Sequence, residues 1–225
     1  MLHLRNAFLL TAIVSILCAC GSQVTVTDPT IPDPLIAKLP MSVAGRYPER
    51  FESFVHEERV IGKEKWIIDL GRSNRILFDQ LFGSMFTDYT VLGGEGSPEV
   101  GQFDAVIEPS IDAFEFSVPN QSQTEEFAVW IRYRIKIYDS QGNQVANWPI
   151  SAYGKALSTT FGGDNALRRA AVLAMRDAAA LIIMQMDKST GVSKLAQIPS
   201  GSDPAEVPDS QALQTAAEET TDETG

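Results

Sequence analysis

Few residues of this chain have the types and spacing that catalysis or metal binding requires. Its only histidines are His3 and His56, and its only cysteines are Cys18 and Cys20. A Ser-His-Asp hydrolase would need a nucleophile motif such as Gly-x-Ser-x-Gly, which is absent. A zinc site needs several Cys or His ligands. Paired carboxylates stay open as an acid and a base, because 29 acidic residues form many pairs. We expect a non-enzymatic protein without metal or cofactor, in which His56 is structural.

A row of basic and aromatic side chains is the stronger candidate for a site. From Glu126 to Ile137, apolar and polar residues alternate, as in a strand buried on one face. Arg and aromatic residues dominate interface energetics. The candidate partner-binding residues are Trp130, Arg132, Arg134 and Lys136, extended by Trp148 and Lys155 on the next strand. The row is either a docking surface, for a partner protein, a second copy, an anionic glycan or a lipid head group, or a solvated or helix-covered face.

The amino terminus has the pattern of an export signal. Arg5 precedes the apolar run 7–19, which is too short for a spanning helix of about 20 residues. The run ends in Leu17-Cys18-Ala19-Cys20. This segment resembles the lipobox of bacterial lipoproteins, although Cys18 departs from the usual residue at its position. The resemblance implies removal of residues 1–19 and attachment of a diacylglyceryl group and a further fatty acid, such as palmitate, to Cys20. The alternative is an ordinary secretory signal with incidental cysteines.

The expected processing leaves a strongly acidic protein. The mature chain would carry 17 basic and 29 acidic residues, a net charge of −12, which excludes a general nucleic-acid binder. With Cys18 removed and Cys20 acylated, no thiol remains for a disulfide or for catalysis. Gly21 stands where enteric lipoproteins of the inner membrane carry Asp. The resemblance to lipoproteins therefore implies a lipid anchor in the outer membrane, with the protein facing the periplasm.

Composition divides the rest of the chain into three parts. Residues 20–40 are rich in proline without a helical period, which is typical of a tether. Residues 199–225 are acidic and lack aromatic side chains, so we expect a disordered tail. The globular domain is expected at 41–198, as an α+β two-layer sandwich with a mostly antiparallel sheet, a long β-hairpin and two helices packed on one face.

Shorter patterns locate the elements of that domain. A bulge is expected near Pro109 and a helix N-cap at Asp164. Strands are expected at 41–44, 60–61, 66–68, 89–92, 105–116, 126–137 and 145–156, and helices at 70–85 and 165–186. The apolar stripe of the last helix comprises Leu167, Ala170, Ala174, Leu181 and Met184.

Three segments carry a wider resemblance. They are the lipobox with its proline-rich sequel, the run from Asp69-Leu-Gly-Arg to Tyr89-Thr-Val-Leu, and the hairpin and helix from Trp130 to Ile182. This order of elements, over about residues 40–187, resembles the small α+β domain of curli-export and exopolysaccharide-export lipoproteins and the amino-terminal TolB-type domain. The long membrane-inserting hairpins of the curli channel have no counterpart here.

Three functional hypotheses follow from these patterns. The first is an accessory or assembly subunit of an export, transport or envelope-maintenance complex. The second is a periplasmic carrier that binds a lipid or glycan, which would need an apolar cavity of a few hundred Å³. The third is a homo-oligomeric ring in which the hairpin packs against the helix of the next copy.

Overall fold

The computed structural model describes residues 21–26, 29, 32, 34–60, 65–93, 100–119, 124–158 and 162–188. The expected signal peptide at 1–19, Cys20 and the expected tail at 199–225 lie outside these ranges. Within them the chain forms two open sheets and three helices. The strands are β1 Gly21–Thr25, β2 Leu39–Gly45, β3 Val55–Arg59, β4 Lys65–Asp69, β5 Phe86–Val91, β6 Ala105–Ser117, β7 Glu126–Asp139 and β8 Gln144–Leu157. The helices are α1 Glu49–Glu52, α2 Gly71–Met85 and α3 Gly163–Lys188.

A five-stranded sheet in the order β5-β2-β6-β7-β8 contains the long hairpin. Its two longest ladders, β6 with β7 and β7 with β8, are antiparallel, whereas β2 lies parallel to both β5 and β6. Along β7, Ile131, Tyr133 and Ile135 are buried while Trp130 and Arg132 are exposed. The hairpin predicted from this alternation is confirmed. The parallel pairs leave no such signal, because parallel strands are not joined by a short turn.

The hairpin turn is held by Asp139. Its carboxylate accepts hydrogen bonds from the backbone N–H groups of Gln141, at 2.9 Å, and Asn143, at 2.8 Å. Slight burial of Asp139 opposes its ionisation, but the hydrogen bonds prevail and lower its pKa below the ordinary 3.8. Gly142 follows with φ at 83°, a left-handed conformation that favours glycine.

Both long helices pack on one face of the five-stranded sheet. Gly154 of β8 lies opposite Val129, on the same face as Tyr133. A Cβ atom on Gly154 would lie 2.2 Å from the carbonyl oxygen of Ala170 in α3. The Tyr133 hydroxyl donates a hydrogen bond of 2.8 Å to Asn74 in α2, and both side chains are fully buried. The predicted α+β architecture, with two helices on one face, is confirmed.

The outer edge of β8 is covered near its middle. The backbone N–H of Tyr153 donates to the carboxylate of Asp177 in α3, at 2.9 Å, and not to a further strand. Pro149 lies four residues earlier, so its backbone faces the same side, and proline has no N–H. Two positions along this edge therefore offer no free donor.

A second sheet, in the order β1-β4-β3, was not foreseen. β1 lies parallel to β4, and Val24 and Val26 are 0% and 3% exposed. The tether expected at 20–40 is therefore wrong for residues 21–26. At the other end of the expected tether, Leu39 and Pro40 already belong to β2. The five residues of β1 are too few to show a clear alternation of apolar and polar residues. The prolines that follow made the whole segment resemble a linker. The proline-rich segment connects two strands of the domain.

The irregularity in β6 lies away from the expected bulge. Pro109 pairs in register with Ile135, and the register shifts between Ile111 and Ala113. The ladder with β2 ends at Ile107. Proline is therefore tolerated because this part of β6 has one paired neighbour instead of two.

Two details of α3 also differ from expectation. The helix begins at Gly163, so Asp164 lies in its first turn and is not the N-cap. Met184 is 50% exposed, whereas Ile182 is buried, because the stripe that faces the core rotates around a helix of this length. Among the helices in the described ranges, none has the length and apolarity needed to cross a bilayer.

Candidate partner-binding face

The face of the five-stranded sheet opposite the helices, here the outer face, carries the predicted row. Trp130, Arg132, Arg134 and Lys136 alternate with the buried residues of β7 and therefore all lie on it. Lys155 joins them, since it pairs with Ala128. Trp148 does not. It lies opposite the buried Ile135 and packs partly buried against the core, so its assignment to the row is wrong.

Most of the positive charge on the outer face is already paired. The Arg134 Nε donates to Asp112 at 3.1 Å, and this hydrogen bond raises the pKa of Arg134 above its ordinary value. The Nζ of Lys136 lies 3.8 Å from Glu108. Lys155 lies 3.1 Å from Glu126. The neutralising carboxylates belong to β6 and β7 and not to a helix. The outer face is therefore a mixed-charge surface, with little net attraction for a polyanion.

One part of the outer face differs from the rest. The rings of Trp130 and Tyr153 lie side by side, with centroids 5.0 Å apart, and are 43% and 41% exposed. Arg132 is exposed next to them, and within the described part of the chain it has no ion-pair partner. We call Trp130, Arg132 and Tyr153 the aromatic-arginine patch.

The aromatic-arginine patch borders a shallow depression. Its volume is about 250 Å³, and its lining includes the small residues Ala113, Ser151 and Ala152 together with Glu115. Enclosed small-molecule sites are typically about 300–1,000 Å³ and bury most of their ligand. An open depression of this size accommodates one or two side chains of another protein.

A partly buried polar cluster was missed in the sequence. The hydroxyl groups of Tyr47 and Tyr89 lie 2.7 Å apart and both donate to Asp79, at 2.7 and 3.0 Å. Burial is the main cause that raises the pKa of each tyrosine well above its ordinary value, so both hydroxyls stay protonated. The cluster ties α2 to β5 and to the segment between β2 and α1. Residues so far apart in the chain leave no local motif.

His56 lies beside an acidic residue and an aromatic cluster. It lies 3.1 Å from Glu58 and its ring packs 5.0 Å from that of Phe114; its structural role stays a prediction. Within the described ranges, no group of three or more His, Cys, Asp or Glu residues is arranged to hold a metal ion.

An apolar groove lies far from the outer face. It has a volume of about 450 Å³ and runs between the segment before β2 and the last turns of α2 and α3. Its walls include Ile36, Met85, Ile183 and Met184. Ile36 and Met184 are 38% and 50% exposed.

Comparison with known proteins yields structural neighbours. The sequence matches no family model and no curated protein. Protein XCC0632 of Xanthomonas campestris, of the family DUF330, has a TM-score of 0.49 and 13% identity, covering 73% of this chain and 94% of its own. Protein CT253 of Chlamydia trachomatis has a TM-score of 0.40 and 11% identity, with coverages of 67% and 96%. Lipoprotein GNA1162 of Neisseria meningitidis has a TM-score of 0.34 and 11% identity, with coverages of 66% and 99%.

At these identities and scores, the likeness carries no argument about function. None of the three names refers to curli, exopolysaccharide export or TolB, so that resemblance stays a prediction. The functional assignment therefore rests on this chain's own residues.

Proposed function

We propose that the chain is a non-enzymatic lipoprotein of the bacterial envelope, lipidated on Cys20 and facing the periplasm from the outer membrane. Its role is that of an accessory or assembly subunit of an export, transport or envelope-maintenance complex. The observation that supports a docking role is the aromatic-arginine patch. It has two exposed rings beside an arginine that has no ion-pair partner among the described residues, on a face whose other described cations are paired.

The patch defines the chemistry of its partner. Exposed Trp and Tyr side chains gain most when they are buried against apolar or aromatic groups, and Arg gains most against a carboxylate. We therefore expect a partner protein that presents an apolar side chain for the depression beside Trp130 and an acidic side chain for Arg132. The paired charges around the patch would form the polar rim of such an interface.

The anchor is tested by replacing Cys20 with alanine. The sequence Leu17 to Cys20 supports acylation of this cysteine, so we expect the Cys20→Ala protein to lose its lipid and its membrane association. Intact-mass measurement of the membrane and soluble fractions checks this. A variant that still carries lipid in the outer membrane would refute the proposed anchor.

Docking is tested with a photo-crosslinking amino acid. The photo-crosslinking residue replaces Tyr153 in one protein and Leu173 of α3 in another. The two positions are similarly exposed, at 41% and 43%, but one lies on the sheet and the other on the helical layer. In the cells that produce the protein, we expect a crosslinked species of defined mass from position 153 only. Loss of one interface hot spot weakens binding by about 2 kcal/mol or more, roughly 30-fold. Combining Trp130→Ala with Arg132→Gln should therefore abolish the crosslink.

Two results would refute docking through the patch. One is a crosslink at position 153 that persists in the Trp130→Ala, Arg132→Gln protein. The other is the same species from position 173. Both changed side chains are exposed, and surface substitutions usually change the free energy of unfolding by no more than about 0.5 kcal/mol. We therefore expect the melting temperature of the double variant to stay close to that of the wild type. That measurement separates lost docking from lost folding.

A lipid carrier is the second candidate, because of the apolar groove. Its volume of about 450 Å³ suits one acyl chain, and Met184, which lines it, is 50% exposed. If the groove holds lipid, the purified protein should release a lipid in stoichiometric amount, and Met184→Asp should release much less. If both proteins release only trace amounts of lipid, and the same amount, the carrier function is refuted.

A further inference from the structure

The first strand of the domain begins at the residue after the proposed anchor. β1 starts at Gly21, and consecutive Cα atoms are about 3.8 Å apart. If Cys20 carries the lipid, as proposed above, no spacer separates the bilayer from the three-stranded sheet. We propose that the end of the domain at which β1 begins, the anchor end, rests directly on the bilayer, with Arg59 and Lys65 against anionic head groups.

The strand register places both cations beside the anchor. Gly21 pairs with Lys65 of β4, and Lys65 pairs with Arg59 of β3. The three residues therefore form one row across the sheet. With about 4.8 Å between neighbouring strands, the backbone of Arg59 lies about 10 Å from that of Gly21. A lipid on Cys20 holds this row at the depth of the head groups.

Charge favours this orientation. Lys65 is 39% exposed on its side chain and lies 2.7 Å from Glu57. Arg59 is exposed, and in the described part of the chain its charge is not matched by an ion pair. The mature chain has a net charge of −12, so an anionic surface repels most of the protein and attracts cations near it. Because Lys65 already has Glu57 as a partner, Arg59 is the cation of this row that contributes most to binding an anionic head group.

The five-stranded sheet shares the anchor end. The ring of Trp66, next to Lys65, lies 6.0 Å from Phe116 and 5.9 Å from Phe127. The end of β6 and the start of β7 therefore lie at the same level. Leu157, which pairs with Glu126 and is 61% exposed, adds an apolar side chain there. The hairpin turn lies at the opposite end, roughly 43 Å away along β7 at about 3.3 Å per residue.

The orientation is measured with single cysteine labels on the lipidated full chain. The mature protein has no thiol once Cys20 is acylated, so Ser158→Cys and Ser140→Cys each place one label. Both serines are exposed, one just after β8 at the anchor end and one in the hairpin turn. The proteins are reconstituted in vesicles of phosphatidylethanolamine and phosphatidylglycerol that contain a head-group energy acceptor. We expect strong transfer from position 158 and weak transfer from position 140.

Three matched proteins complete the test. Twenty Gly and Ser residues inserted between Cys20 and Gly21 allow the domain to rise by roughly 25 Å, so transfer from position 158 should fall. Combining Arg59→Gln with Lys65→Gln should lower the energy transfer from position 158 in part. The control Arg72→Gln, which changes an exposed arginine of α2, should leave the transfer unchanged. Equal transfer from both labels, or no effect of the inserted linker, would overturn the orientation but leave lipidation intact. A mass without acyl chains on Cys20 would overturn the proposed anchor itself, and the orientation with it.

Discussion

Replacing Gly154 with alanine tests a close contact between α3 and the sheet. The added Cβ would lie 2.2 Å from the carbonyl oxygen of Ala170 and 2.3 Å from the amide nitrogen of Ala174. Both are backbone atoms of α3, so the whole helix must move. Overpacking costs about 1–3 kcal/mol, and we expect about 3 kcal/mol here. At about 2–4 °C per kcal/mol for a chain of this size, the melting temperature should fall by about 6–12 °C.

The matched control is the same change at Gly83. Gly83 lies inside α2, and its added Cβ would come no nearer than 3.9 Å, to a ring atom of Tyr89. Alanine in a helix is favoured over glycine by about 1 kcal/mol, so Gly83→Ala should raise the melting temperature. Differential scanning calorimetry of both variants and the wild type compares the three melting temperatures. If Gly154→Ala melts with the wild type while Gly83→Ala is stabilised, α3 does not lie as close to β8 as we describe.

Three further predictions concern the core, the first strand and the hairpin. Tyr133→Phe leaves the buried Asn74 acceptor unpaired and should cost about 1–3 kcal/mol in chemical denaturation, whereas Tyr153→Phe on the outer face should cost almost nothing. Val24→Ala should cost about 2 kcal/mol because Val24 is fully buried; a stability equal to wild type would show that β1 is a free tether after all. Asp139 has a folded pKa below its ordinary 3.8, so its stabilisation is complete above that pH and is lost as pH falls through the folded value. NMR of the turn amides during acid titration should show the turn opening there, and unchanged amide shifts would contradict this.

Long periodic segments were predicted well because their pattern depends only on one buried face. Residues 126–137 alternate along a strand that the structure extends to Asp139. The helical stripe from Leu70 to Met85 likewise matches α2. In both cases the signal comes from burial alone and does not require knowledge of the neighbouring element.

Pairing partners were not predicted, because they depend on register between distant strands. The charges of Glu108 and Asp112 are visible in the sequence, but their pairing is not. Glu108 meets Lys136 because the ladder places the two opposite each other, and Asp112 meets Arg134 from the register shift between Ile111 and Ala113. For the same reason the local environment of Arg132 could not be distinguished from that of its neighbours.

The error at Trp148 had a signal in the sequence. Trp148 and Lys155 are seven residues apart, and an odd spacing places them on opposite faces of an unbroken strand. The two residues could not both have belonged to the predicted row. β1 is a different case, since its five residues and the prolines after it contain too little pattern to separate a strand from a linker.

The covered edge of β8 bears on how copies of this protein behave at high local concentration. An exposed edge strand is a template on which another chain can extend the sheet, and this is a common route to aggregation. Here the N–H of Tyr153 already donates to Asp177. Pro149 has no N–H and so interrupts the row of donors along the edge. A second copy therefore cannot continue the sheet across the middle of β8. If Cys20 is lipidated as proposed, the anchor can concentrate the protein without pairing of copies across the middle of this edge.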